Sequence, residues 1–311
     1  MVPQISPQGP GIHAVDTGLL RPGFDASHLI LRDGEAAFVD CGTAHSVPRL
    51  LAALDVLGIP RSAVRYLLLT HIHLDHAGGA GQLMAELPEA MCVVHPRGAR
   101  HLAEPSKLEA GTRAVYGDEV YDRIYGALQP IPPERIREVA DEEALLLGSS
   151  ALEFLHTEGH AKHHYCIWDN DSQRMFTGDS FGLSYRAFDS TAGPFIFPTT
   201  TPVHFDPAAA RASVDRIVSY RPEACLLTHY SSVTAVARLG DTLKRELDAY
   251  VAITEAVDGE ERAIASRLRA HLEARLDGHG VADAPDLRET WLAGDVALNA
   301  QGLAYWYAHR R

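Results

Sequence analysis

The stretch LLLTHIHLDHAGG, Leu67 to Gly79, constrains the chain more than any other. A run of leucines this short and this apolar reads as a strand buried on both faces. It stops on His71, His73, Asp75 and His76, polar side chains that are costly to bury without partners. The same arrangement returns along the sequence: MCVVH, LEFLHT, YCIWD, RMFTGD and ACLLTH are short runs of strand formers, each ending near a histidine or aspartate. A fold assembled from such pieces must bury its strands and carry polar donors at their ends.

Turn and helix signals fill the intervals. HLILRDGEAAFVDCG predicts two strands joined at Asp33-Gly34, a pair suited to the tight hairpin turn that needs positive φ. VPRLLAALDVLG has helical periodicity and is closed by Gly58-Ile59-Pro60. AGGAGQLMAEL starts a helix directly behind the histidines, and residues 98–129 predict a helical insertion that could roof a cleft. AAARASVDRIVSY is a further helix. From Val233 onward LKRELDAYVAITEAV, ERAIASRLRAHLEARL and TWLAGDVALNAQGLAYWYAHR keep a period of about 3.6. The expected organisation is an α/β catalytic core over residues 1–232 and a helical carboxy-terminal extension over 233–311, packed on that core.

Composition narrows the function classes. Apolar residues make up 46% of the chain and charged residues 22%, the balance of an ordinary globular protein. A net charge of −13 works against nonspecific attraction to polyanions, so no nucleic-acid partner is expected. No run approaches the roughly 18 to 20 apolar residues of a membrane span, and the amino-terminal MVPQISPQGPGIHAVDTG lacks the basic-then-apolar pattern of a signal peptide. Cys41, Cys92, Cys166 and Cys225 lie in or beside apolar runs with no C-x-x-C spacing, which predicts buried reduced thiols. These features predict a cytoplasmic protein without a membrane partner.

The donors themselves suit a divalent cation. Imidazole nitrogen with carboxylate oxygen accepts zinc, iron or manganese. His71 and His73 are two apart in an extended segment and can project to one side, with Asp75 and His76 following at once. The small residues Ala77, Gly78 and Gly79 let the backbone turn close to whatever those side chains hold. Further donors stand at later strand ends: His156, His160, His163 and His164 in HTEGHAKHH, Asp179 in GDS, His229 in LLTHY.

Taken in order, H-x-H-x-D-H, G-H, G-D and T-H resemble the metallo-β-lactamase superfamily of hydrolases, in its glyoxalase II-like or lactonase-like branch, over roughly Gly11 to Tyr230. The resemblance implies a four-layer αββα sandwich with two divalent metal ions, zinc first, at one edge of paired sheets. It implies that His71, His73 and His160 hold one ion, that Asp75, His76 and His229 hold the other, and that Asp179 bridges them. Asp40 in FVDCG matches an aspartate that accepts a hydrogen bond from a metal-bound histidine in relatives; a plain turn aspartate is the alternative. His164 is expected beside the site in a supporting role, and His163, His156 and His95 as solvent-facing or hydrogen-bonded residues. Tyr185, Phe195, Phe197, His204 and Phe205, from the aromatic run after Asp179, are candidates for a cleft wall.

Such a site would use a hydroxide shared between metals about 3.5 to 4 Å apart to attack a carbonyl or phosphoryl centre, with Asp75 also placed to orient the water or carry its proton. The bridging Asp179, where many zinc β-lactamases carry cysteine, argues against antibiotic hydrolysis, and His73, where flavodiiron proteins carry glutamate, argues against oxygen reduction. Lactonases of the family carry a tyrosine three residues after the bridging aspartate; here that residue is Gly182, with Tyr185 nearby. The expected activity is cleavage of a small ester, thioester or lactone. A phosphodiesterase is the alternative within the family. A non-catalytic metal-containing sensor is the alternative outside it, with Leu303, Tyr305, Trp306 and Tyr307 as anchors for a partner or a second copy in a homodimer; packing of the tail is the simpler role for them.

Overall fold

A computed structural model describes residues 2–201, 203–281 and 284–310, without the side chains at 115 and 116. The chain forms two compact bodies. The first comprises Met1–His156, His163–Gly178 and Ala224–Ser232, and the second Thr157–Lys162, Asp179–Glu223 and Val233–Arg311.

The first body is a sandwich of two sheets. One has seven strands in chain order: β1 Ile5–Gly9, β2 Ile12–Asp16, β3 Ala26–Arg32, β4 Glu35–Val39, β5 Val64–Leu68, β6 Met91–Val94 and β7 Ile136–Glu138. Strands β1 to β4 run antiparallel, and β4 to β7 are parallel. The predicted hairpin is the β3–β4 turn, where Asp33 and Gly34 both have positive φ (50° and 83°) and Arg32 pairs with Glu35. Parallel neighbours need long crossovers, supplied by α1 Val47–Leu57, then α2 Leu74–Ala77 with α3 Ala80–Glu86, then the insertion α4 Pro96–Ala103, α5 Ser106–Tyr116 and α6 Asp118–Ile124. The second sheet contains β8 Ala144–Leu147, β9 Ser150–His156, β10 Tyr165–Asp169, β11 Arg174–Gly178, β12 Ala224–Leu227 and β13 Ser231–Val233, in the order β13-β12-β11-β10-β9-β8.

The apolar strands alternate between two cores, as the pleat requires. Ala36, Phe38, Leu67, Leu69, Cys92 and Val94 face a core shared with Leu50 and Leu54 of α1 and Leu83 of α3. Their neighbours Ala37, Val39, Leu68 and Val93 face the other sheet, meeting Leu152, Phe154, Ile167, Phe176 and Leu226. Each such aliphatic or aromatic side chain removed from water contributes roughly 1.5–3 kcal/mol. A strand buried on both faces has no side exposed to water along its length, so polar groups can appear only where it ends. All four cysteines are free and buried.

The second body is helical: α7 Pro207–Ser219, α8 Val236–Glu255, α9 Glu261–His279 and α10 Pro285–His309. Helix α7 packs on α8, and α10 on α9 and α8. Ile264, Leu268, Leu272 and Leu276 of α9 are all fully buried, one per turn. Residues 179–206 group with these helices because their backbone is tied to them. Thr200 N donates to Asn299 Oδ1 (2.6 Å), Ser190 Oγ to the His279 carbonyl (2.6 Å) and Arg275 Nη1 to the Ile196 carbonyl (3.1 Å). No described helix is long and apolar enough to cross a membrane. Near the carboxy terminus Leu303 is buried, and the Tyr307 ring covers Gly259 while its hydroxyl donates to Asp258 (3.3 Å). Leu303 and Tyr307 therefore pack within this body, whereas Tyr305 is 39% exposed.

Candidate metal centre

In the first body the donors stand where β5 runs out. His71 is fully buried, its Nδ1 3.1 Å from Thr70 Oγ1 and its Nε2 2.9 Å from His73 Nδ1. Two imidazole lone pairs cannot face each other at that distance without a proton or a cation between them. The segment then enters α2, which presents Asp75 and His76. Asp75 Oδ2 lies 3.3 Å from His229 Nε2 and 3.7 Å from His76 Nε2, and one donor atom from each of these three residues falls within 4.8 Å of the others.

What makes this a metal-ready arrangement is the far side of each ring. His76 Nδ1 is 2.7 Å from Asp40 Oδ2, and His229 Nδ1 is 2.9 Å from the Phe24 carbonyl. Both oxygens only accept, so each Nδ1 carries the proton and each Nε2 lone pair is turned toward Asp75. A carboxylate facing two neutral imidazole lone pairs has donors in excess and suits a divalent cation.

Asp40 is more than a turn residue. It is fully buried at φ 56°, and its Oδ1 accepts from Thr70 N (2.8 Å). Its Oδ2 accepts from Thr70 Oγ1 (2.8 Å), Thr228 Oγ1 (2.9 Å) and His76. The two threonines precede His71 and His229 in the repeated string LLTH. That repetition is the sequence signal for their shared partner. His164 packs its ring 4.8 Å from that of His71. The glycine of the G-D motif, Gly178, has φ 46°, and a Cβ there would meet Thr70 Oγ1 at 2.6 Å and His164 Nε2 at 2.7 Å. His163 stacks at 6.2 Å from His71. His95 and His156 form a separate pair, their rings tilted by 39° with centroids 4.1 Å apart, and His95 Nδ1 accepts from Arg97 N at the start of α4.

Asp25, in no motif of the sequence, also belongs to a buried hydrogen-bonded pair. It is 1% exposed, Thr17 Oγ1 donates to its Oδ2 at 2.5 Å, and Oδ1 has no partner among the described residues. Burial pushes its carboxyl up to about 7, against the opposing pull of His229 and His76.

In the second body His160 and Asp179 are 3% and 6% exposed and lie 3.3 Å apart, Nε2 to Oδ2. His160 is held by the Thr199 carbonyl (3.5 Å from Nδ1) and Thr201 Oγ1 (3.3 Å from Nε2). The preceding Gly159, at φ 124°, lies so close to α7 that a Cβ would come within 2.2 Å of Ala210 N. His160 and Asp179 border a cavity of about 20 Å³, closed by Val214, Leu243 and Leu247.

The proposed cleft wall is different from expectation. Tyr185 is fully buried, its hydroxyl donates to Asp295 (3.0 Å) and its ring packs on Trp291, Phe197 and Phe188. It belongs to the interior of the helical body, as do Phe195, Phe197 and Phe205, because a ring sequence this apolar is better buried than exposed. His204 is half-buried in the turn before α7.

The sequence profile of the Metallo-beta-lactamase superfamily matches residues 20–229. The chain is 26% identical over 224 residues to the metallo-beta-lactamase fold-containing protein ST1585 of Sulfurisphaera tokodaii, covering 70% of this chain and 78% of that one. The crystal structure of ST1585 superposes with a TM-score of 0.67 at 22% identity, over 94% of this chain and 98% of the other. An acyl-coenzyme A thioesterase of Gallus gallus, MBLAC2, is 28% identical over 184 residues, 56% of this chain and 64% of the thioesterase. A chemotaxis sensor solved as a peroxy diiron species shares the fold at a TM-score of 0.55 and 13% identity, over 78% of this chain and 94% of that one. By its profile match, its paired sheets and its helical carboxy-terminal region, the chain belongs to the metallo-β-lactamase superfamily.

Proposed function

We propose that the protein is a metal-dependent hydrolase of a small thioester, ester or lactone, with His71, His73 and His160 as one donor set, Asp75, His76 and His229 as the other, and Asp179 shared between them. The observation that carries this reading is the pair of anchored rings. His76 and His229 each have Nδ1 committed to an acceptor, Asp40 and Phe24 O, so that Nε2 and the Asp75 carboxylate meet as ligands. Two divalent ions bound there would supply the Lewis acidity that lowers the pKa of water and polarises the acyl oxygen.

The remaining work falls to the chain itself. Asp75, 29% exposed at its side chain where His76 is fully buried, is open to solvent and is placed to orient the attacking water and accept its proton. Asp40 fixes the His76 ring, and Thr70 and Thr228 fix Asp40. The apolar walls beside His160 and Asp179 suit the acyl portion of a substrate, and a volume of about 20 Å³ holds little more than a water-sized group. A short acyl chain fits that wall. The thioesterase relative supports a thioester among the candidate bonds. Zinc is the first choice of metal, and iron or manganese suit the same donors.

Elemental analysis of protein purified without added metal, then turnover of acetyl and octanoyl thioesters, a lactone and a phosphodiester reporter with that metal restored, tests the reading. Metal-dependent cleavage of the acetyl thioester ahead of the octanoyl one is expected. Bound metal with turnover of the phosphodiester alone, or with no turnover of any of them, rules it out.

A further inference from the structure

The two anchored rings of the first body lean on acceptors of different kinds. His76 leans on the Asp40 carboxylate, which Thr70 and Thr228 fix in turn, whereas His229 leans on a main-chain carbonyl, that of Phe24 (2.9 Å). A carbonyl can orient a ring only if its own peptide is held. Phe24 lies near the end of the β2–β3 loop, residues 17–25, and this loop is tied across its base. Asp16 Oδ1 accepts from Gly18 N (2.9 Å) and Asp16 Oδ2 from Gly23 N (2.6 Å), which joins the first turn of the loop to the last. Gly18, at φ 76°, lies against the Arg49 side chain of α1 with no room for a Cβ.

Asp25 completes the tie. Thr17 donates to it twice, from N to the Asp25 carbonyl (3.0 Å) and from Oγ1 to Oδ2 (2.5 Å), and both residues are buried. On the other side Ala26 N donates to the Thr228 carbonyl (2.9 Å). Asp25 therefore stands between two residues that each bond to the Thr228–His229 pair, Phe24 through its carbonyl and Ala26 through its N–H. The Phe24 carbonyl belongs to the planar peptide that ends on Asp25, so restraint of the Asp25 carbonyl and side chain limits its swing. Because Asp25 Oδ1 has no partner among the described residues, the side chain depends on the Thr17 hydroxyl.

We propose that Thr17 and Asp25 are positioning residues for His229: the hydrogen bond between them holds the Phe24 carbonyl against Nδ1 and so keeps Nε2 turned toward Asp75 as a ligand. The proposal rests on the metal-centre reading under Proposed function, and it adds the support of one ring. Asp25 with Thr17 repeats the device of Asp40 with Thr70 and Thr228, with a neutral carbonyl inserted between carboxylate and imidazole. Loss of a group that orients a metal-binding histidine costs about 10- to 100-fold in affinity, and a support one peptide further out belongs at the low end. Asp25 also lies within electrostatic reach of His229 and His76. Its charge is thus the competing role, and the variants separate the two.

Chelator competition on zinc-loaded protein, with bound zinc counted by elemental analysis, tests the assignment. Thr17→Val keeps the shape without the hydroxyl and should weaken zinc binding by about tenfold; Thr17→Ser, which keeps the hydroxyl, should bind as wild type does. Asp25→Asn retains an accepting oxygen and should also hold zinc normally. Asp25→Ala removes the acceptor, should reproduce the Thr17→Val loss, and stands in for that variant if it does not fold. Ser150→Ala is the control: its hydroxyl is as buried, donates to Asp169 (3.1 Å) away from the donors, and should lower the melting temperature with zinc affinity unchanged. Unchanged affinity in Thr17→Val, or an equal loss in Ser150→Ala, reduces the pair to a structural contact and overturns the proposal. A loss in Asp25→Asn as large as in Asp25→Ala assigns the effect to charge and overturns it too. Wild-type protein that takes up no zinc fails the metal-centre reading itself, a result separate from any difference among the variants.

Discussion

The two bodies hold their polar donors by different means. In the sandwich, His71, His73, Asp75 and His76 follow one another at the end of a single buried strand, and Asp40 ties that strand end to Thr228 of the second sheet's β12–β13 connection through one carboxylate. In the helical body, His160 and Asp179 sit just after sheet strands, in backbone that groups with helices, and are fixed by close approach: Gly159 against α7, and Thr199 and Thr201 against His160. The first arrangement rests on a buried carboxylate that gathers hydrogen bonds from four donors, the second on two long hydrogen bonds to His160 and the close fit of Gly159 against α7. Networks should fail in metal affinity, and fits should fail in stability.

The largest effect tests the donors shared by both descriptions. His76→Ala and Asp179→Ala should each lower turnover by more than about 100-fold and reduce bound metal, since loss of an outer partner alone typically costs about 10- to 100-fold. Retention of full metal content in either variant, by elemental analysis, would remove that residue from the donor set. Next comes the network itself. Asp40→Asn keeps the shape but replaces one accepting oxygen by a donor, and metal affinity measured by competition with a chelator should fall about 10- to 100-fold. An unchanged affinity would show that the ring of His76 needs no carboxylate to hold its tautomer.

The fit in the helical body is tested by Gly159→Ala. The residue has φ 124° and no room for a Cβ, so the backbone alone should cost about 1–3 kcal/mol, read as a fall in melting temperature of metal-free protein. A melting temperature equal to wild type would erase the contrast drawn between the bodies. Acid sensitivity sharpens it from the sandwich side. His28 on β3 is 1% exposed, 3.4 Å from Ser231 Oγ, and burial lowers it to about 4. The unfolded chain binds a proton below its ordinary value of about 6.5 that the folded chain takes up only near 4. Stability present above that window is lost as pH falls through it and levels off below, by on the order of 3 kcal/mol in all. In urea titrations of metal-free protein, His28→Gln should show a shallower loss between neutral pH and pH about 4.5; a parallel loss would assign the acid sensitivity elsewhere. The smallest effect is expected of Thr228→Val, which removes one of several donors to Asp40 and should cost about 1–3 kcal/mol with metal still bound.

Short runs of strand formers predict β5, β6, β9, β10, β11 and β12, and Asp33-Gly34 predicts the β3–β4 hairpin because it matches a turn that needs positive φ twice, whereas β1 (ISPQG) and β7 (IRE) carry no such pattern and owe their form to pairing in the sheet. Histidines and aspartates at the ends of buried strands also stand out in the sequence, since they are expensive to bury without partners. The aromatic run after Asp179 reads from sequence as a cleft wall, and the structure buries its Tyr185, Phe195 and Phe197. Apolar rings in a loop say that they will be covered and not by what, and the burial of Tyr185 against Asp295 and Trp291 depends on a helix more than a hundred residues away. Tertiary contacts set which threonines serve Asp40, why Gly159 and Gly178 have to be glycine, and that residues 157–162 and 179–223 group with the carboxy-terminal helices. Each of these is a contact between segments distant in the chain. Local pattern reports what a residue needs, and the fold alone supplies the partner.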